Sequence, residues 1–134
     1  MRAVLLVLLV FFCGCTSSFT QDFLTVSSKY DAIVFSDGID SAEAEIIAQR
    51  ELVRKNLARV YGLSSPKKVT DVEDLPNHQD YWFISFKERN FKSIEYVFMT
   101  IIDRKTGKVK FADDYQLGKR WILEAVLLGG RHWD

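Results

Sequence analysis

The sequence predicts an α+β fold, with one helix packed on an antiparallel sheet of about four strands and an additional C-terminal helix. Three observations predict it. Asp40 to Tyr61 carries the start, stop and apolar spacing of an amphipathic helix. From Asp80 to Phe111 the pattern changes to runs of branched and aromatic residues parted by short polar stretches, as in antiparallel strands. The chain then closes on an apolar run, Tyr115 to Leu128, that is too short to cross a bilayer. The 134 residues, less a leader, suffice for one small domain with one core.

The first helix is the clearest element. Asp40 is a good N-cap, Glu43 stands three residues on in capping-box spacing, and Gly62 supplies the stop after Tyr61. At about 100° per residue, Ile46, Val53, Leu57 and Val60 share one face, and Ala44, Ala48 and Leu52 form a smaller stripe nearly opposite. Two stripes imply a helix that lies on the sheet and is also covered from behind, with the C-terminal helix as the expected cover. Arg50, Arg54 and Glu43 line a solvent flank.

The strands follow in order. Lys29 to Phe35 reads as a short strand or extended lead-in ending in the Asp37-Gly38 turn, and Lys67 to Glu73 as a marginal strand around Val69 and Val72. Pro66 breaks the chain before it, and Asp74 to Gln79, with Pro76 and Asn77, is a loop. Asp80 to Phe86 and Ser93 to Ile102 pair as a hairpin across the polar connection Lys87 to Lys92. Asp103 to Gly107 is a turn in which Gly107 takes a positive φ, and Lys108 to Phe111 alternates as the next strand. Asp113-Asp114 then reads as a turn and helix cap, and Gly129-Gly130 ends the last helix ahead of an exposed tail, Arg131 to Asp134.

The N-terminus decides the compartment. Arg2 precedes an apolar run from Ala3 to Phe12, a short positive n-region and an h-region of roughly ten residues. Its end, Phe12-Cys13-Gly14-Cys15, resembles the lipobox of bacterial lipoproteins, with Phe12 and Cys13 at positions where leucine and a small residue are usual. The resemblance implies cleavage after Gly14, lipid (palmitate among its chains) on Cys15, and residence in the cell envelope. Thr16, where an aspartate would favour retention on the inner membrane, implies the outer membrane facing the periplasm. An ordinary signal peptide cut near Thr16 to Ser18, or a retained anchor, are the other readings. The division is then a signal peptide over 1–14, a lipidated N-terminus and Ser/Thr-rich flexible tether over 15–28, and a single domain over 29–134.

Charge and cysteine usage exclude several classes. Lys plus Arg and Asp plus Glu are 18 each, and removal of Arg2 with the leader leaves 17 against 18. Near-neutrality argues against nucleic acid as a partner, since phosphates demand a basic face. Both cysteines lie in the leader region, so a thiol nucleophile or thiolate metal site is not expected in the folded domain.

The series Asp37-Gly-Ile39, Glu43-Ala44, Ile47-Ala48, Tyr81-Trp-Phe-Ile-Ser-Phe86 and Ile101-Ile-Asp-Arg-Lys-Thr-Gly-Lys-Val109 is similar to PepSY-like domains over roughly Asp37 to Ala112. The resemblance implies a cystatin-like helix on an antiparallel sheet and a non-enzymatic binding or inhibitory module, sometimes linked to peptidases. The apolar segment after Tyr115 departs from that pattern. A nuclear-transport-factor-like immunity protein has a similar order of elements.

No catalytic constellation is expected. The chain has two histidines, His78 and His132, and lacks Gly-x-Ser-x-Gly, His-Glu-x-x-His and glycine-rich phosphate loops, so no catalytic, cofactor or metal residues are assigned. Asp71, Glu73, Asp74, His78 and Asp80 gather in one loop but lack the spacing and central glycine of an EF-hand, and read as a solvated acidic loop. An enzyme built on Asp71, Glu73 and His78 is the weakest reading. On the strand, Tyr81, Phe83 and Ser85 project to one face and Trp82, Ile84 and Phe86 to the other, so one face needs the C-terminal helix or a partner as cover. Tyr81, Trp82, Tyr96 and Trp121 are the candidate partner-binding surface. The expected partners are the membrane, through the lipid, and a protein such as a peptidase or toxin; a structural or assembly role, or an immunity role, is the alternative.

Overall fold

A capping box starts the helix on which the fold turns. In the computed structural model, which describes residues 18–64, 66–89 and 96–129, the Asp40 carboxylate accepts from the Glu43 backbone N–H at 2.8 Å and the Asp40 N–H donates to the Glu43 carboxylate at 3.0 Å. The described residues hold helices α1 Ser18–Asp31, α2 Ser41–Arg54, α3 Ala58–Tyr61 and α4 Arg120–Leu127. They also hold strands β1 Lys67–Lys68, β2 Tyr81–Lys87, β3 Tyr96–Asp103 and β4 Val109–Gln116. The strands form one antiparallel sheet in the order β1-β2-β3-β4, so the expected α+β architecture with a C-terminal helix is what the chain adopts. The leader with Cys15, the expected strand start at Ser93 and the tail from Arg131 lie outside the described residues.

The sheet is buried on both faces. Ile84, Phe86, Phe98 and Ile102 pack with Ala44, Ile47, Ala48, Leu52 and Tyr61 under α2 and α3. Phe83, Val97, Met99, Ile101 and Tyr115 pack on the other side with Val72, Leu75, Leu123 and Leu127. Double coverage explains why β2 and β3 read as continuous apolar runs, since neither face of the central strands meets water. The edges are blunted in different ways: β1 has two residues, and β4 carries Lys110, Asp113 and Asp114.

Several expectations are corrected, among them the strand over Lys67 to Glu73, of which only Lys67–Lys68 pair with β2 while 71–74 form a turn. The Ser/Thr-rich segment expected to be a tether is helical from Ser18 to Asp31. Helix-lowering Ser and Thr are outweighed by tertiary contact: Val26 is buried, Tyr30 packs against the core and Phe35, and Arg50 stacks on the Tyr30 ring at 3.9 Å. It is α1, not the C-terminal helix, that covers α2 from behind. The expected strand over Lys29 to Phe35 is instead the end of α1 and a 3-10 turn, Phe35–Asp37.

The long helix breaks at Asn56, which adopts a positive φ of 59°, and α3 resumes at Ala58. The expected Ile46-Val53-Leu57-Val60 face is therefore split. Ala44, Ile47, Ala48, Glu51, Leu52 and Val53 are the buried positions of α2, and Val60 is exposed. The last strand runs five residues past Phe111, so Asp113 and Asp114 belong to β4 and Tyr115 starts no helix. Ile101 faces Phe111 while Ile102 faces Val109, so Lys110 is the extra residue of a bulge. The bulge sends Val109 to the helical side and Phe111 to the other, instead of leaving both on one face.

Candidate functional site

The expected surface of four aromatic residues divides between the two faces and the ends of the sheet. Trp82 lies on the helical side. Its indole N–H donates to the Ile39 carbonyl at 2.7 Å, and its ring is flanked by the Arg104 guanidinium at 3.9 Å and the Lys68 ammonium at 4.7 Å. Tyr81, one residue earlier, points to the opposite side, where Lys110 approaches its ring at 5.5 Å. Arg104 ties the two together, since its Nε donates to the Tyr81 carbonyl at 3.0 Å while its plane covers Trp82. Both rings are half-buried and held by cations, so they serve first as supports for the β2 end of the sheet.

Tyr96 stands at the other end of β3, opposite Gln116, and is exposed. Trp121 lies on α4 with 53 % of its surface exposed. The four residues thus form no single patch. What sequence reading missed is the outward edge of α4. Leu117 in the turn before the helix, Trp121 in its first turn and Leu128 at its C-cap are all exposed, while Leu123 and Leu127 face the core. Trp121 and Leu128, seven apart, share one row, opposite in role to Leu123 and Leu127.

The acidic loop is built into the fold. Asp74 bonds the Arg120 guanidinium at the start of α4, an interaction that lowers the Asp74 carboxyl below its ordinary range and raises Arg120. His78 Nδ1 lies 3.2 Å from the Leu75 carbonyl. Val72 and Leu75 turn inward to the second core, so the loop and α4 close one face together. Among the described residues no three His, Cys, Asp or Glu side chains are grouped to hold a metal ion.

Asp114, unexpectedly in a strand, accepts the Tyr61 hydroxyl at 2.6 Å. Burial first, and then that carboxylate, push the Tyr61 phenol above its ordinary range. At the sheet centre the Thr100 hydroxyl is fully buried and makes no hydrogen bond among the described residues. Both groups are features of the core. No helix among the described residues is long and apolar enough to cross a membrane. No family model matches the chain, nor does any curated protein or solved structure.

Proposed function

We propose that this chain is a bacterial envelope lipoprotein, acylated at Cys15, whose PepSY-like domain acts as a non-enzymatic protein-binding or inhibitory module. The observation that carries the reading is the leader, in which Arg2, the apolar run to Phe12 and Gly14-Cys15 stand in lipobox order. The binding role is supported by the exposed apolar residues around α4, Trp121 in its first turn with Leu117 in the turn before it and Leu128 at its C-cap, because such large apolar side chains suit a partner's apolar pocket.

Two measurements test it. Cells supplied with a palmitate analogue should label the wild-type protein and leave Cys15→Ala unlabelled and released from membranes; label-free membrane retention of Cys15→Ala overturns the anchor. A photo-crosslinker at position 121 should capture a defined envelope protein whose recovery is lost in Leu117→Ser/Leu128→Ser. Full function after exchange of the domain for an unrelated one would favour a spacer or assembly role.

A further inference from the structure

The N-terminal half of α1 presents two large apolar residues that the described fold covers only in part. Farther along the helix Val26 is buried and Tyr30 packs inward, but Phe23 is 46 % exposed and Leu24 61 % exposed. Phe23 stands three and seven residues before Val26 and Tyr30, so it continues their row past the part of the helix that the core covers, while Leu24 points about 100° away from it. Val26 and Tyr30 already occupy the face toward the core.

We propose that this edge is a membrane-docking surface, with Phe23 and Leu24 entering the headgroup and upper acyl region of the bilayer that holds the Cys15 lipid. The proposal rests on the lipoprotein reading. α1 begins three residues after Cys15, and three peptide links span no more than about 11 Å however they run. Five helical residues from Ser18 to Phe23 add about 7.5 Å. The Cα atoms of both residues therefore stay within about 20 Å of that of Cys15, where a short tether gives an effective concentration on the order of millimolar. Under that constraint, even the modest attraction of two apolar side chains for the interface orients the helix. Exposed Asp22 beside them opposes deeper entry, so the edge docks at shallow depth.

The test uses the full lipidated protein. Once the leader is removed and Cys15 is acylated, Leu24→Cys supplies a single free thiol for an environment-sensitive fluorophore. Lys105→Cys is the reference, because its hairpin packs through Gly107 on Phe35, beyond the C-terminal end of α1. In phosphatidylethanolamine and phosphatidylglycerol vesicles, the label at 24 should shift to the blue and lose emission when headgroup-region nitroxide lipids are included. The label at 105 should stay water-like. Phe23→Ser should reduce the quenching at 24 without changing the circular dichroism. A water-like label at 24 on protein that floats with the vesicles overturns docking while leaving the anchor intact. A blue-shifted label that nitroxide lipids fail to quench assigns the edge to a protein or a second copy, and overturns the bilayer as occupant. Protein that carries no lipid and fails to float overturns the lipoprotein reading and docking with it.

Discussion

The Tyr61 hydroxyl donates to Asp114 Oδ1 at 2.6 Å, joining the end of α3 to the edge strand β4 across 53 residues of chain. Tyr61→Phe should cost about 1 kcal/mol, the usual net worth of such a bond with a partly solvated acceptor, read as a lower urea midpoint. The pH dependence is sharper. The phenol's pKa is raised in the fold, so its contribution is fully present below the unfolded value of about 10 and declines as pH rises through the folded value. Tyr61→Phe should flatten the loss of stability above about pH 10, leaving the smaller part due to Tyr115, whose pKa burial also raises.

Gly107 has a φ of +69°, and a Cβ there would lie 2.6 Å from Phe35 Cε1 and 3.1 Å from Ile39 Cδ1. Both left-handed strain and a clash with the 3-10 turn oppose any side chain. Gly107→Ala should lose about 2 kcal/mol, a fall in Tm of roughly 10 °C by calorimetry. An unchanged Tm would show that the hairpin and Phe35 are not packed as described.

Thr100 brings an unpaired hydroxyl into the helical-side core between Ile84 and Ala112. Thr100→Val keeps the shape and removes the desolvated group, so it should raise stability by about 1 kcal/mol in urea unfolding. A loss instead would mean that the hydroxyl has a partner in solution.

Leu123 is buried among Val72, Leu75 and Phe83, whereas Leu128, at the C-cap of the same helix, is exposed. Leu123→Ala should cost about 2–4 kcal/mol through lost burial and a cavity. Leu128→Ala should stay within about 0.5 kcal/mol. Equal effects would remove α4 from the core and with it the partner edge assigned to its other side.

Asp103 balances opposing influences. Burial raises its carboxyl, but hydrogen bonds from the Thr106 N–H at 2.9 Å and the Lys105 N–H at 2.8 Å outweigh it and hold the group below its usual range. Its contribution is present above the unfolded pKa of about 3.9 and is lost as pH falls through the folded value. Asp103→Asn should therefore be less sensitive than wild type to acid below about pH 4, measured by unfolding midpoints across that range.

Much of the candidate surface was legible only by halves. The alternation along β2 correctly sends Tyr81 and Trp82 to opposite sides, but period two carries no information about what covers each side. Exposure of Tyr96 and Trp121, and the capture of Trp82 between Arg104 and Lys68, depend on residues far apart in the chain.

Local chemistry by itself determined the Asp40–Glu43 capping box, the turn at Gly107 and the stop at Gly62, because each depends on residues within a few positions of one another, and the two apolar runs on either side of a short polar connection determined the β2–β3 pairing. Tertiary structure decided the rest. α1 is a helix because Val26 and Tyr30 have α2 and Arg50 to pack against, overriding the poor propensity of its serines and threonines. Asp113 and Asp114 lie in a strand because β3 supplies a ladder and Tyr61 a hydroxyl, and α4 closes the far face because Val72, Leu75 and Asp74 await it there. In each case, a preference of a few tenths of a kcal/mol per residue yields to burial worth about 1.5–3 kcal/mol per large apolar side chain.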